Sequence, residues 1–385
     1  MITVIALVVI FGLLIFVHEL GHFIAAKLMG VEVKSFAFGF PPTLFSKKVG
    51  ETTYKINLLP LGGYVSLRGE DPDLDENNLV KEEKHPRSLL SKKNWQLLII
   101  FVSGVVMNLI LAVFLFYICY LVGFQPIMPE MANHPGVNNN QKIVITDIEK
   151  GAPAEAAGIQ KGDVVKSVEG QDVFMSAQVI AAVQANSDKN GSKVNVVIIR
   201  DGKEQTKELA TYKSKVTNNG KTTEVNRIGV VLENKGTIQG NIFTSFTAAV
   251  SETARIVVLT FVGIVDLFKQ LITTFTVSNN VSGPVGIVVI TNYFAQLGIV
   301  YLIEFAAILS ISLAVFNILP IPGLDGGQML IVILESIMRK KFSPKTKNMV
   351  QLIGFGTLIC LVVVVTVKDV VNFDVIGNVK GWFGK

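Results

Sequence analysis

The chain has 385 residues, of which 50% are hydrophobic and only 17% charged, and its formal net charge is +5. Soluble domains carry about 25% charged residues, so this composition excludes an ordinary soluble globule, and it equally excludes a disordered chain. The 13 prolines have no period and there are only 2 cysteines, which excludes collagen-like and disulfide-scaffold classes. The modest charge favours basic loops beside a membrane over a nucleic-acid surface.

Four apolar segments are long enough to cross a membrane, which takes about 20 residues. The predicted spans are 1–30, 95–123, 297–328 and 349–368. The first is expected to stay in the mature protein, because it lacks the basic flank and the small-residue cleavage site of a signal peptide. A further region, 246–296, carries apolar residues at helical spacing with charged residues between them, which indicates an amphipathic helix beside the membrane.

Lysine and arginine are concentrated in the loops that face the cytoplasm. The segments 31–94 and 329–348 are rich in both, so we predict that they are cytoplasmic. The segment 124–245 and the tail 369–385 are then extracytoplasmic. The outer segment also holds many lysines, but long domains translocate largely regardless of charge.

Within the outer segment, residues 142–212 alternate between strand patterns and turns. The stretch from Gly151 to Val173, GAPAEAAGIQKGDVVKSVEGQDV, resembles a PDZ domain. Such domains bind extended peptides by adding a strand to a sheet edge. The alternative is a small domain that only guards access to the membrane. Residues 214–245 are expected to form an irregular or strand-rich connector.

The first apolar segment contains His18-Glu19-Leu20-Gly21-His22. Histidines four positions apart share one face of a helix, which suits a tetrahedral zinc ion. Zinc lowers the pKa of a water molecule towards about 7, and Glu19 can accept its proton. An acid at the centre of a membrane span costs about 2.5–3.5 kcal/mol, so ionisable residues there mark function by default.

A catalytic zinc site has three protein ligands and one open position, so a third ligand must come from elsewhere in the chain. Asp325 is the main candidate and lies in the segment 317–327, NILPIPGLDGG. Prolines and glycines break the helix there, which is tolerated at membrane depth only where the backbone lines protein or a water-filled cavity. Asp325 could instead cap the next helix. Glu304 is the rival ligand, several turns away towards the outer face.

These motifs, together with a PDZ-like segment between the second and third spans, resemble the site-2 protease family. They look most similar to the RseP-type regulated intramembrane zinc metalloproteases with a single PDZ domain. The segments 36–42 (FAFGFPP) and 58–70 (LLPLGGYVSLRGE) also resemble that group's membrane-associated β-loop region. The second span matches in part, because Gly104-Val105 replaces the usual Gly-Pro, whereas Asn108 stands at the expected asparagine.

The resemblance implies a polytopic α-helical membrane protein with four transmembrane helices, a membrane-associated β-loop region and an inserted extracytoplasmic PDZ domain of α+β type. It implies Zn2+ held by His18, His22 and Asp325, with Glu19 as the general base, and it makes Asn317 a contact to the substrate backbone. The residue types alone are compatible with two roles for Asn317: an amide at a broken helix can hold a peptide, or it can satisfy the helix end.

The expected function is zinc-dependent intramembrane endoproteolysis. The substrates are single-span membrane proteins, such as anti-sigma factors or signal-peptide remnants, already trimmed by an upstream site-1 protease. A helical substrate must unwind, and a sheet edge around Gly62 and Gly63 is the candidate to hold it extended. We expect a multi-pass protein of the bacterial cytoplasmic membrane, with its active site towards the cytoplasm and no nucleic-acid partner. The alternatives are a catalytically idle relative that binds membrane proteins, and a metal transporter, which would more typically show internal repeats.

Overall fold

The computed structural model describes residues 2–70, 85–128, 131, 134–187, 193–218, 221–274 and 282–372. The chain divides into two compact units. The helical unit comprises Met1–Phe116 and Val250–Val371, and the sheet unit comprises Tyr117–Ala249. Most of the predicted outer tail, from 373 onwards, lies outside the described residues.

The helices are Ile2–Leu28 (α1), Asn94–Val122 (α2), Pro153–Ala156 (α3), Ser176–Ser187 (α4), Ile242–Thr273 (α5), Pro284–Leu297 (α6), Ile299–Ile318 (α7), Asp325–Met338 (α8) and Pro344–Asn372 (α9). The strands are Val33–Val49 (β1), Thr52–Leu67 (β2), Asn138–Asn139 (β3), Lys142–Ile148 (β4), Val164–Val168 (β5), Gln171–Asp172 (β6), Lys193–Arg200 (β7), Lys203–Ala210 (β8), Tyr212–Asn218 (β9), Lys221–Arg227 (β10), Val230–Lys235 (β11) and Ile238–Gln239 (β12).

Within the described residues, five helices are long and apolar enough to cross a membrane: α1, α2, α5, α7 and α9. Four of them lie where spans were predicted. The fifth, α5, is the helix expected to be amphipathic, and length and composition alone do not decide whether it crosses. The predicted span 297–328 consists of α7, an irregular segment and the first turn of α8, because two prolines interrupt the helix after Ile318.

Two contacts define one end of the helical unit. We call it the opposite end, because it lies away from His18 and His22 along α1. The Thr3 hydroxyl at the start of α1 donates to Asn292 Oδ1 in α6 at 2.7 Å. The buried Asp369, near the end of α9, accepts hydrogen bonds at Oδ2 from the backbone N–H groups of Gly283 and Gly286, at 2.8 and 2.7 Å. This carboxylate satisfies amides that the first turn of α6 leaves unpaired. The beginning of α1, the beginning of α6 and the last turns of α9 therefore meet at the opposite end.

Helices α1, α2 and α7 approach one another closely further along. At Gly21 in α1 an added Cβ would lie 2.4 Å from the Ser103 carbonyl oxygen in α2. Ser310 in α7 donates from its hydroxyl to the Asn108 carbonyl oxygen in α2 at 2.8 Å. A glycine at the contact lets the two backbones approach without a side chain between them, a common arrangement in membrane helices.

The hairpin β1–β2 is bent so strongly that it forms four short antiparallel segments. Segment 35–38 pairs with 53–56 on one side and with 63–66 on the other, and 53–56 also pairs with 45–48. Segment 63–66 is therefore an edge strand in the described pairing. It lies against α1, because an added Cβ at Gly63 would be 3.4 Å from Glu19 Cγ. The sequence indicated a β-loop in this region, and the structure shows which edge of it faces α1.

The sheet unit is built on an antiparallel sheet with strand order β11-β4-β5-β7-β8, and β6 pairs with β5. Helix α4 covers the sheet with Val179 and Val183, which pack into a core with Ile143, Ile145 and Ile198. The sheet extends past residue 212, since β11 pairs with β4. The segment expected to be a connector thus supplies an edge strand, and its partner lies far away in sequence, where a local pattern carries no information. The PDZ assignment stays a prediction.

Candidate metal centre

The HELGH turn lies in the regular helix α1, so its two imidazoles share a face, with ring centroids 4.8 Å apart. Asp325, the first residue of α8, brings a carboxylate to the same face. Its Oδ2 lies 3.0 Å from His18 Nε2 and 3.4 Å from His22 Nε2, and the two Nε2 atoms are 3.2 Å apart. Three potential ligand atoms therefore face one common point.

This arrangement fits a zinc ion. Ligand atoms at about 2.0–2.1 Å from a tetrahedral zinc are separated from one another by about 3.3–3.4 Å. The three observed separations, 3.0, 3.2 and 3.4 Å, are close to that spacing. Asp325 Oδ2 is also buried, and within the described part of the chain it accepts no hydrogen bond. Among the residues that the structure describes, His18, His22 and Asp325 are the one group of three metal-binding side chains so arranged.

The segment between α7 and α8 places Asp325. An added Cβ at Gly326 would lie 2.2 Å from the carbonyl oxygens of Ile318 and Leu319, and one at Gly327 would lie 2.3 Å from that of Ile321. Real Cβ atoms do not approach so closely, so the first turn of α8 can fold against this segment only with glycine at both positions.

Asp325 does not cap α8. The cap position is Leu324, which makes no side-chain cap hydrogen bond, and Asp325 is already helical. Helix α9 packs against the segment between α7 and α8, because an added Cβ at Gly354 would lie 2.1 Å from the Pro322 carbonyl oxygen. The alternative that Asp325 is a helix cap is therefore wrong, and its carboxylate is available to the two histidines.

The other ring nitrogens of the histidines contact α2. His22 Nδ1 lies 2.8 Å from the carbonyl oxygen of Ile100, and His18 Nδ1 lies 3.3 Å from the side-chain amide of Asn108. A carbonyl can only accept, so His22 carries its proton on Nδ1 and leaves the Nε2 lone pair for a metal. Such contacts orient metal-binding histidines in proteins.

Gly104 in α2 lies directly against both imidazoles. An added Cβ there would be 2.5 Å from His22 Nε2 and 2.7 Å from His18 Cε1. The absence of a side chain therefore lets α2 form one wall of the centre.

Glu19 lies beside the edge strand. The backbone of Val65 faces its carboxylate. An added Cβ at Gly63 would be 2.8 Å from the Ala37 carbonyl oxygen, and one at Gly62, where φ is +153°, would lie 2.2 Å from the Phe40 ring. The two glycines predicted to contact substrate thus allow close packing against β1 within the hairpin.

Of the other predicted residues, Asn317 lies in the last turn of α7, with its Nδ2 3.4 Å from His18 Nε2. Glu304 is fully buried in α7 and is not part of the group formed by the histidines and Asp325. Gly104 and Asn108 have no role that could be assigned from the sequence alone. The available signal was a glycine and a polar amide within a highly apolar helix.

A histidine pair and an aspartate converging between membrane-length helices are characteristic of intramembrane metalloproteases. Residues 6–361 match Peptidase family M50. The chain is 29% identical to the zinc metalloprotease RasP of Bacillus licheniformis, over 96% of this chain and 98% of that protein. The chain is also 29% identical to the regulator of sigma-W protease RasP of Bacillus subtilis, over 96% of this chain and 98% of that protein. A putative zinc metalloprotease of Clostridium perfringens is 32% identical, over 94% of this chain and 96% of that protein.

The chain belongs to peptidase family M50, the site-2 proteases, as its sequence motifs predicted. It is a zinc metalloendopeptidase with several long apolar helices, consistent with a multi-pass membrane protein.

We predict that Gly104→Ala lowers the zinc affinity of the purified protein by on the order of tenfold or more, since overpacking a closely packed site costs about 1–3 kcal/mol. Competition with a chelator of known affinity measures the change. Gly356→Ala in α9 is the matched control, because a Cβ there would meet no atom of the described residues within 4 Å. Unchanged zinc affinity in the Gly104 variant would show that α2 does not bound the metal centre.

Proposed function

We propose that this protease cleaves the transmembrane segments of single-span proteins in the bacterial cytoplasmic membrane, after another protease has trimmed them. The observation that carries this proposal is the juxtaposition of the His18, His22 and Asp325 ligand atoms with Glu19 and the edge strand 63–66, all among membrane-length helices. One side of this site offers a metal-binding face, and the other offers backbone groups to an extended chain.

His18, His22 and Asp325 would hold the zinc, which when bound supplies Lewis acidity towards water and a peptide carbonyl. Glu19 follows His18 directly in α1, so its carboxylate stands beside the metal face without occupying it. It accepts the proton of the attacking water and delivers it to the leaving amine as the carbon–nitrogen bond breaks. Asn317 Nδ2, 3.4 Å from His18 Nε2, can donate to the substrate carbonyl oxygen.

The edge strand addresses the main obstacle to cutting a helix. A helical peptide bond is shielded by its own hydrogen bonds, so the substrate must unwind before attack. Segment 63–66 uses one edge to pair with 35–38, and the backbone of Val65 in this segment faces Glu19 of α1. Its backbone groups can pair with an unwound substrate, in the way extended peptides add to a sheet edge. Gly63 lies within this segment beside Glu19, because an added Cβ there would be 3.4 Å from Glu19 Cγ.

We propose four spans, with α5 along the outer surface of the membrane. Helices α1 and α7 run from the opposite end towards the histidines, and α2 and α9 run back. The chain therefore leaves the helical unit along α2 towards the opposite end, and α6 begins again at that end, where Gly283 meets Asp369. A single crossing by α5 would put α6 at the other end. His18 lies about 22 Å along α1 from Thr3 at 1.5 Å per residue, which puts the centre nearer the cytoplasm.

We propose that the sheet unit is a PDZ-type filter on the outer side, which admits substrates whose outer domains have already been removed by a site-1 protease. A compact sheet around one apolar core is suited to that role. One relative is named for the regulation of sigma-W. We therefore propose membrane-bound anti-sigma factors as one substrate class and signal-peptide remnants as another.

The roles within the centre are separable by mutation. Glu19→Gln should reduce cleavage by about 10²–10⁴-fold, as for loss of a general base, with zinc still bound. His18→Ala, His22→Ala and Asp325→Ala should each lower the zinc content, whereas Glu304→Ala should leave it unchanged. Metal analysis of the purified variants is combined with membrane proteomics, where Glu19→Gln should accumulate single-span fragments.

Zinc loss in the Glu304 variant with full occupancy in the Asp325 variant would identify Glu304, and not Asp325, as the third zinc ligand. Full activity of Glu19→Gln would contradict the catalytic role of that residue.

Reporter fusions test the topology. Fusions at Lys84 and Lys345 should report the cytoplasm, and fusions at Lys189 and Thr274 should report the outside. Thr274 is the informative site, because it directly follows α5. A cytoplasmic signal there would show that α5 crosses the membrane. An outside signal at Lys84 would reverse the whole orientation.

Deletion of the sheet tests the filter. The deletion should remove 142–235, because stopping at 212 would leave β11 without its partner β4. The shortened protein should keep its zinc and cut untrimmed substrates that the full chain spares, because no outer domain then restricts access. Cleavage of trimmed and untrimmed test substrates is compared in membranes. If every substrate escapes cleavage while zinc is retained, the sheet unit delivers substrates and does not exclude them.

A further inference from the structure

His18 contacts two different partners through its two ring nitrogens. Its Nε2 faces Asp325 Oδ2 at 3.0 Å and His22 Nε2 at 3.2 Å, so this is the nitrogen available to a metal. Its Nδ1 lies 3.3 Å from the side-chain amide of Asn108. A neutral imidazole carries one proton, and a nitrogen that binds a metal carries none. For Nε2 to bind, the proton must therefore be on Nδ1, and the group facing Nδ1 must accept it.

The amide of Asn108 is suited to accept that proton. Asn108 is completely buried, and when Nδ2 faces the ring its Oδ1 has no hydrogen-bond partner among the residues that the structure describes. The two ends of an amide have nearly the same shape, so their assignment follows from the hydrogen bonds they can make. With the ends exchanged, Oδ1 accepts from His18 Nδ1–H, and the buried oxygen gains the partner it lacks. With Nδ2 towards the ring, the amide would donate to Nδ1 and place the ring proton on Nε2.

The main chain fixes where this amide sits. The Asn108 carbonyl oxygen accepts a hydrogen bond from the Ser310 hydroxyl at 2.8 Å, which ties α2 to α7 at this level. His22 donates the corresponding hydrogen bond to a main-chain group, because its Nδ1 lies 2.8 Å from the Ile100 carbonyl oxygen. The proton position of one histidine thus depends on backbone, whereas that of the other depends on a side chain that can be mutated.

We propose that Asn108 is a positioning residue that accepts a hydrogen bond from His18 Nδ1–H through Oδ1 and thereby directs the Nε2 lone pair to the metal. The proposal rests on the ligand role of His18 proposed above. It gives Asn108 a function distinct from that of Asn317, which lies on the Nε2 side of the ring. Partners of this kind contribute about 10–100-fold to metal affinity.

Two substitutions distinguish an acceptor from a packing residue. Asn108→Leu removes the acceptor and keeps an apolar side chain of similar size, so zinc affinity should fall by about 10–100-fold. Asn108→Asp keeps an acceptor and, when ionised, cannot donate, so it should bind zinc as tightly as the unchanged protein or more tightly. If Asn108 only packed α2 against α7, or donated to the ring, the buried carboxylate would lose at least as much affinity as leucine.

The measurement is chelator competition on the full-length protein in detergent, with zinc alone as the ligand. Thr291→Val in α6 is the control for loss of a buried polar group, because Thr291 is fully buried and its hydroxyl donates to the Ile287 carbonyl oxygen within the same helix. Nitrogen NMR of the metal-free protein adds a readout independent of affinity: the Nδ1–H tautomer of His18 should persist with aspartate and decline with leucine. If Asn108→Leu does not fold, Asn108→Asp alone decides, since weakened zinc binding there overturns the proposal.

A His18→Ala arm separates this inference from the proposed function. Normal zinc binding in that variant would mean that His18 is not a ligand, and the proposed function would fail at its metal site. Zinc loss in His18→Ala with normal binding in Asn108→Leu would overturn the role of Asn108 only.

Discussion

Three lone pairs from two distant parts of the chain must meet at one point inside an apolar helical unit, and much of the surrounding structure serves that requirement. His18 and His22 need only a regular helix, but the Asp325 carboxylate arrives from a helix that begins more than 300 positions later in the chain. Burial of these groups is costly without a compensating partner. In the proposed site a zinc ion would be that partner for all three side chains.

Glycines make the convergence sterically possible. Gly21 and Gly104 bring α1 and α2 together around the imidazoles, and Gly326 and Gly327 let α8 begin directly over the broken end of α7. Each position would put a Cβ within 2.2–2.5 Å of an atom it cannot displace cheaply. Backbone proximity therefore explains why small residues lie at these helix contacts, in addition to the general preference for small residues between membrane helices.

The same geometry links the chemistry to the handling of substrate. Glu19 is the neighbour of a histidine in sequence, so its helix turns it away from the metal-binding face and towards the edge strand 63–66. The proposed proton acceptor thus lies between the metal and the backbone that could hold an unwound chain. At the opposite end of the helical unit, Asp369 accepts hydrogen bonds from the first turn of α6. Helix α6 therefore begins at the end where α1 begins, and α1 and α7 both run from that end towards the histidines.

The class of protein, the four helices predicted as spans and the HELGH turn could be predicted from the sequence alone. They depend on local composition and on a residue spacing that a single helix converts into geometry. The sequence also indicated Asp325, through prolines and glycines that cannot continue a helix. Tertiary structure decided which acid stands by the histidines, with Glu304 buried elsewhere in α7. It also decided that β11 completes the sheet begun by β4, and that Asn108 and the Ile100 carbonyl face the ring nitrogens. These contacts join residues far apart in the chain. Neither periodicity nor local propensity contains information on how close two helices lie.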